Sequence, residues 1–158
     1  MTPITLEQYA GPYLHSVDLT LERRSNAIDL LAAVNACLAM AEADGVEIHV
    51  NPATGCHVGG NGHGGFRDQA CTIGAPLSSH KVGRAVDVYD PHRELASWAL
   101  RNMERLQAAG LNGMENPQWT PTWCHWQTTL ARSGRFVFIP DSSRPLAAAL
   151  PEQIGALG

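Results

Sequence analysis

The amino-acid sequence predicts an α+β fold, in which helices pack on one face of a small antiparallel sheet. One observation behind this class is helical spacing: in residues 20–44 the apolar positions recur every three or four residues. Another is strand character in short segments, among them residues 84–89 and 123–127. Hydrophobic residues make up 44% of the chain, which is enough to build a continuous core beneath such a sheet.

The helices are predicted from spacing together with end signals. The first covers residues 20–44, and Gly45 provides its stop. The second is predicted to start at Asp90, an N-cap residue followed by Pro91 at the first helical position, and to stop at Gly110. Each helix has one apolar face, so each is expected to pack against the sheet.

The strands are predicted from alternation and turn residues. Residues 46–50 and 84–89 alternate between apolar and polar side chains, as half-buried strands do. Residues 123–127 and 135–139 give two further strands, joined by a turn that contains Ser133-Gly134. Between the first two strands, residues 55–83 hold eight of the fifteen glycines and three of the seven histidines. This segment is predicted to be a long loop that packs around a site.

The length of 158 residues predicts one domain, residues 1–158, with a core from about 20 to 140 and a Pro- and Ala-rich tail at 141–158.

Four cysteines are present, and none of them forms a C-x-x-C pair: Cys37, Cys56, Cys71 and Cys124. Neither a zinc ribbon nor a disulfide framework is indicated, so we expect reduced thiols.

Charge and the distribution of apolar residues exclude several classes of partner. Eleven basic and fifteen acidic residues give a net charge of −4, and the basic residues are scattered, unlike the basic stripe of a nucleic-acid-binding protein. The longest nearly apolar run, residues 30–41, is shorter than the roughly 18 to 20 residues of a membrane span. Residues 1–6 lack the pattern of a signal peptide. We therefore expect a monomer that is synthesised in the cytoplasm and binds neither nucleic acid nor membrane.

Three residues have the types and positions of metal ligands. His80 lies in a loop, and Asp87 follows it on a predicted strand after a turn at Gly83, so that a nitrogen and an oxygen can reach the same ion. His125 lies on another predicted strand. If the two strands are neighbours, the three side chains leave a fourth position for water, which is typical of a catalytic zinc site.

Each of these residues also has an ordinary structural interpretation. A single histidine is usually hydrogen-bonded in the core or on the surface, and the aromatic residues around His125 are those of a core strand. Asp87 could pair with Arg84 or cap a turn. His57 and His63 in the glycine-rich loop lack a recognisable ligand spacing and are interpreted as groove or surface residues. The metal hypothesis therefore depends on the combination of residues.

That combination resembles a known family. The pattern Ser78-x-His80-x-x-Gly83-x-Ala85-x-Asp87, followed by Trp123-x-His125, is similar to the zinc D-Ala-D-Ala carboxypeptidases and L-Ala-D-Glu endopeptidases, which include bacterial cell-wall enzymes and phage endolysins. Gly65-Phe66-Arg67 matches an upstream element of the family, and Gly74-Ala75-Pro76 is also typical. The hedgehog signalling domain shares that fold. The resemblance covers about residues 65–127.

The resemblance implies a role for each matching residue. His80, Asp87 and His125 would bind one zinc ion. Arg67 would hold the substrate carbonyl or the developing oxyanion, a role that suits a permanently charged guanidinium. Ser78 would orient a neighbouring ligand or a substrate group.

The sequence departs from the family at the general acid and base. The family has an acid three residues before the last histidine ligand, and this chain has Thr122 there. Glu115, ten residues before His125, is the provisional replacement because a loop could fold it over the metal. Asp90 and Asp68 are the other candidates; the first is expected to cap a helix and the second to pair with Arg67.

The resemblance implies a zinc metallopeptidase that hydrolyses an amide bond in the peptide stem of bacterial peptidoglycan, with zinc as its cofactor. We expect it to be a phage or prophage lysis protein that acts on the cell wall. Two alternatives stay open. One is a zinc-bearing binding module without turnover, which Thr122 would allow. The other is a phage structural protein without a metal.

Overall fold

The computed structural model describes residues 1–139, so the predicted tail lies outside the described residues. The regular elements, in chain order, are α1 (Leu6–Ala10), α2 (Leu21–Ala43), β1 (Ala85–Tyr89), α3 (Glu94–Arg101), α4 (Met103–Ala108), β2 (Gly113–Glu115), β3 (Trp123–Gln127) and β4 (Val137–Phe138). Two short 3-10 helices cover Gly11–Tyr13 and Ser79–Val82. The α+β class is confirmed.

Helix α2 follows the sequence prediction closely. Its N-cap is Thr20, whose hydroxyl accepts a hydrogen bond from the Arg23 amide. One face of α2 is buried in the core and includes Leu30, Val34 and Leu38. By length and composition α2 is long and apolar enough to cross a membrane, a property it shares with the core helices of other proteins. The core also extends further toward the N-terminus than expected, since Ile4 and Tyr9 belong to it.

The predicted helix from Asp90 to Gly110 is instead two helices, α3 and α4, which meet at Asn102. Asp90 does cap α3, but from a distance: its carboxylate accepts hydrogen bonds from the amides of Leu95 and Ala96. Arg93, in the left-handed region with φ of 59°, immediately precedes the helix. The chain therefore turns once more before it becomes helical.

The sheet has the strand order β1-β3-β2-β4 and is mixed. Strands β1, β3 and β2 are antiparallel neighbours, whereas β4 pairs in parallel with β2. The prediction of a purely antiparallel sheet is therefore wrong. Strand β2 was not predicted, and the segment 135–139 contributes only the two residues of β4. Residues 46–50, which are within the described part of the chain, form no strand; beyond them Asn51 makes an isolated bridge with Cys56.

The two faces of the sheet have different side chains. The core face carries apolar residues that pack with α2 and α3: Val86, Val88, Met114, Cys124, Trp126 and Val137. The opposite face carries Asp87 on β1 and His125 on β3, which are directly paired in the register. All candidate strand-borne site residues thus lie on the face that does not pack against the main core.

Candidate metal centre

A row of polar residues crosses the face of the sheet opposite the core. Asp87 is paired with His125, and Glu115 lies next in the same row because Met114 on β2 is paired with Trp126, one residue beyond His125. Glu115 is in turn paired with Phe138 on β4. Three neighbouring strands therefore bring a carboxylate, an imidazole and a second carboxylate side by side.

His80 reaches the same place from the loop. It lies in the 3-10 helix Ser79–Val82, which begins after Ser78, whose hydroxyl accepts a hydrogen bond from the His80 amide. The imidazole Nδ1 is 2.7 Å from the carbonyl oxygen of Gly65. Gly83, with φ of 75°, ends the helix and lies against the backbone of α2, where a Cβ would be 2.4 Å from the carbonyl oxygen of Arg23. Only glycine fits this turn, which leads directly into β1.

Two further glycines let the loop approach the site. The carbonyl oxygen of Gly64 accepts a hydrogen bond of 2.7 Å from the Asp87 amide, at the edge of β1 opposite β3. A Cβ on Gly64 would lie 2.2 Å from the carbonyl oxygen of Gly59, and one on Gly65 would lie 1.8 Å from that of Tyr9. These contacts exclude any side chain, so the glycine content of the loop serves close packing beside the site.

His80, Asp87 and His125 form a buried group whose ligand atoms all lie within 4.8 Å of one another, and this group could hold a metal ion. Asp87 Oδ1 is 2.8 Å from His125 Nδ1 and 3.4 Å from His80 Nε2. Tetrahedral coordination at zinc distances would separate the ligand atoms by about 3.3–3.6 Å, so small movements of these side chains suffice.

The protons of the two imidazoles indicate why a cation suits this group. His80 Nδ1 faces the carbonyl of Gly65, which can only accept, so this nitrogen carries the hydrogen and Nε2 presents its lone pair to Asp87. His125 has an acceptor on each side, Gln127 Oε1 at 3.2 Å from Nε2 and the same carboxylate oxygen of Asp87 at 2.8 Å from Nδ1, so both of its nitrogens donate. A cation between the three side chains would take the place of the hydrogen on His125 Nδ1, and two imidazole nitrogens and a carboxylate oxygen would then bind it.

The electrostatics of the group agree with this conclusion. Burial would raise the pKa of the Asp87 carboxyl, but the neighbouring His80 and His125 outweigh it and hold that pKa well below its usual range. Burial lowers the pKa of His80. For His125 burial alone would lower the pKa, but Glu115 and Asp87 raise it to about 9. The negative surroundings that favour a proton on His125 equally favour a divalent cation.

Arg67 is buried and bonded within the chain. Its Nη2 donates to Asp87 Oδ2 at 3.1 Å, its Nε to the carbonyl oxygen of His63 and its Nη1 to that of Ile73. It pairs with Asp87, whereas Asp68 accepts a hydrogen bond from the Cys71 amide instead. Because every guanidinium nitrogen already has a partner, the geometry favours a role in orienting Asp87 over the substrate contact that the resemblance implies.

Glu115 lies beside the His80–Asp87–His125 group, and a strand, not a flexible loop, brings it there. Its Oε1 is 3.8 Å from His125 Nδ1, and its side chain retains 18% exposure. It is therefore near a candidate ligand atom and also open to solvent. Thr122, at the position where the related family has its acid, is exposed. Asp90 is occupied by the N-terminus of α3, as described above.

Gln127 and Gly64 contact the site residues but were missed at the level of sequence, and Gly65 was noted there only as part of the Gly65-Phe66-Arg67 element. Gln127 could have been found from its position two residues after His125, which puts both on the same face of β3. The contacts of the two glycines depend on the path of the loop, and no sequence signal predicts them. His57 is buried, with Nδ1 2.9 Å from the carbonyl oxygen of His49, so it is not a surface residue.

Comparisons of the chain with protein-family models, with curated proteins and with solved structures find no match. A proposal of function therefore rests on the geometry of the site and on the sequence resemblance of residues 65–127.

Proposed function

We propose that this protein is a zinc metallopeptidase that cleaves an amide bond in the peptide stem of bacterial peptidoglycan. The observation that carries the proposal is the juxtaposition of a buried His80–Asp87–His125 group with a second carboxylate, Glu115, 3.8 Å from one of its nitrogens. A structural metal site is closed by four protein ligands, whereas three ligands beside a free carboxylate are typical of hydrolytic sites.

Zinc is the metal proposed because two imidazoles and one carboxylate match its preferred donors. When bound, it would supply Lewis acidity, which polarises a carbonyl group and lowers the pKa of a coordinated water toward neutrality. His80 and His125 would hold the ion through Nε2 and Nδ1, respectively, and Asp87 through Oδ1. Arg67 keeps Asp87 in place by binding its other oxygen.

Glu115 is proposed as the general base and acid. Its carboxylate would accept a proton from the attacking water and return it to the nitrogen of the leaving amine. The partial exposure of this side chain leaves room for a substrate next to it. Ser78 would act by fixing the start of the helix that carries His80, as its hydrogen bond indicates.

The substrate class is proposed from the resemblance of residues 65–127 to cell-wall peptidases, and the hedgehog and DD-peptidase fold is proposed on the same basis. Synthesis in the cytoplasm and action on the cell wall, as in a phage or prophage lysis protein, belong to this proposal. A small soluble monomer without nucleic-acid or membrane partners would suit that role.

The test is digestion of purified peptidoglycan by the zinc-loaded protein, with and without a chelator, followed by chromatography of the released muropeptides. Wild-type protein is expected to release stem fragments, and the chelator is expected to stop the release. His125→Ala removes a ligand and Glu115→Gln removes the base, so both variants are expected to be inactive for different reasons. Mass spectra of the fragments would identify the bond that is cut.

Other outcomes would overturn the proposed mechanism or favour a different class of protein. Release of muropeptides by Glu115→Gln at the wild-type rate would remove Glu115 from the mechanism. A protein that contains about one zinc ion but releases nothing would be a binding module. A protein with less than about one equivalent of zinc by elemental analysis would be a structural protein, because a three-ligand site of this kind requires its metal.

A further inference from the structure

The side chain of Gln127 links His125 to the segment that follows β3. Its Oε1 faces His125 Nε2 at 3.2 Å, and its Nε2 donates to the carbonyl oxygen of Thr129 at 2.7 Å. Because the Thr129 carbonyl can only accept, the amide nitrogen of Gln127 must face it. The oxygen of the same amide is therefore fixed toward His125 and holds Nε2 of His125 as a hydrogen-bond donor, so that Nδ1 is the nitrogen left for a metal ion.

The backbone around Gln127 makes space for this arrangement. Gly113 on β2 is paired with Gln127, and a Cβ at position 113 would lie 2.9 Å from Gln127 Cγ and 3.0 Å from its Nε2. The backbone of Gly113 is outside the left-handed region, so the absence of a side chain and not the conformation is what this position requires. Gln127 itself is only 6% exposed, so its hydrogen bond to Thr129 is not easily replaced by one to water.

Thr129 also contacts the other histidine-bearing segment. Its hydroxyl oxygen is 2.8 Å from that of Ser79, the residue that precedes His80. A single residue after β3 thus fixes Gln127 through its carbonyl oxygen and the start of the 3-10 helix through its hydroxyl.

We propose that Gln127, anchored on Thr129 and accommodated by Gly113, is a positioning residue that selects Nδ1 of His125 as the metal-binding atom. This inference rests on the proposed zinc site. Without the amide oxygen, nothing in the described surroundings would hold the proton on Nε2, and the ring could present either edge to Asp87. Groups that orient a ligating histidine typically change metal affinity about 10- to 100-fold when they are removed.

The experiment measures zinc affinity by competition with a chromophoric chelator, and the coordinating nitrogen of His125 by imidazole 15N–1H spectra of the zinc-loaded protein. Gln127→Met, which keeps the length but has no strong acceptor, is expected to weaken zinc binding about 10- to 100-fold and to lose the protected Nε2–H signal. Gln127→Glu keeps an acceptor for His125 Nε2 but loses the donor to the Thr129 carbonyl, so it is expected to retain Nδ1 coordination and to bind zinc more weakly than the wild type.

Two further variants separate positioning from folding. Gly113→Ala leaves every polar group present but forces Gln127 to move, so it is expected to weaken zinc binding in the same direction as Gln127→Met. Thr129→Val removes the hydroxyl contact to Ser79 and keeps the carbonyl that holds Gln127, so it is expected to preserve Nδ1 coordination of His125. Thermal unfolding of the metal-free variants shows which of them are folded.

The outcomes distinguish this inference from the proposed function. If wild-type protein binds no zinc, both are wrong. If wild-type protein binds zinc through His125 Nδ1, and Gln127→Met and Gly113→Ala bind it with the same affinity and through the same nitrogen, the role of Gln127 is wrong and the metal site stands.

Discussion

The two histidines of the candidate metal centre are held in different ways. His125 lies in the middle of the central strand β3, where the pairing of β1 and β2 on either side fixes its backbone. His80 lies in a short 3-10 helix of the glycine-rich loop, where a hydroxyl, a carbonyl and close glycine contacts fix it. The strand-borne half of the site, which contains His125, depends on the strand register, and many hydrogen bonds maintain that register together. The loop-borne half, which contains His80, depends on a few individual contacts.

This difference suggests how each half would respond to change. A substitution on the strands that keeps the backbone ladder should alter the chemistry of the site and leave its framework intact. A substitution in the loop should change both the packing of the loop and the position of His80, because the same contacts are responsible for both. Substitutions in each part of the site can test this contrast.

His125→Ala should abolish zinc binding, because only two of the three ligands remain. Zinc content by elemental analysis is expected to fall from about one equivalent to none, and peptidoglycan hydrolysis is expected to disappear with it. His15→Ala, which changes an exposed histidine, is the control and should keep a full equivalent. Full zinc occupancy in the His125 variant would show that the metal, if any, is bound elsewhere.

Glu115→Gln should separate binding from turnover. The amide cannot take a proton from water, so hydrolysis of peptidoglycan is expected to fall about 10²- to 10⁴-fold, which is the usual contribution of general acid and base catalysis. Zinc content should stay at the wild-type value, because Glu115 is not one of the three ligands. Glu104→Gln, on an exposed helical position, should change neither quantity. A parallel loss of zinc would instead make Glu115 a fourth ligand.

The same contrast explains what the sequence could predict. The candidate ligands His80, Asp87 and His125 could be selected from their types and spacing, and the strand Trp123–Gln127 from its local sequence pattern. Local patterns failed where pairing decides the outcome: strand β2, with three residues, is too short to show alternation and was missed, and the strand predicted over 135–139 is limited to the two residues of β4. Residues 46–50 alternate clearly but find no partner strand.

Glu115 illustrates the limit most clearly. From the sequence it was an acid ten residues before His125, in a segment with two prolines, and a loop was the only obvious way to bring it to the metal. The structure brings it there by inserting β2 between β3 and β4, so that the register itself puts Glu115 beside His125. Such a long-range parallel and antiparallel arrangement has no local signal. The pairing of Arg67 with Asp87 depends on loop packing in the same way.

Gly65→Ala should disturb the loop-borne half without touching a ligand. The added Cβ would lie 1.8 Å from the carbonyl oxygen of Tyr9, so the loop must shift and move the carbonyl that binds His80 Nδ1. Overpacking of this kind costs about 1–3 kcal/mol of unfolding free energy, which denaturant titration would measure, and zinc affinity should fall as well. Gly134→Ala is the control, because its surroundings are open and only its left-handed backbone is strained. Equal losses of zinc affinity in both variants would contradict the contact argument.

Ser78→Ala should have the smallest effect. The hydroxyl of Ser78 accepts the hydrogen bond from the His80 amide, so its loss leaves one amide at the start of the 3-10 helix without that partner. Loss of such a cap is expected to cost about 1 kcal/mol of unfolding free energy, and the ring of His80 stays bonded to Gly65. Zinc affinity should therefore fall only a few-fold, and Ser78→Thr, which keeps the hydroxyl, should restore it. A loss of hydrolysis in Ser78→Ala at full zinc occupancy would instead place Ser78 in contact with the substrate, because the cap alone acts on the ligand and not on the reacting bond.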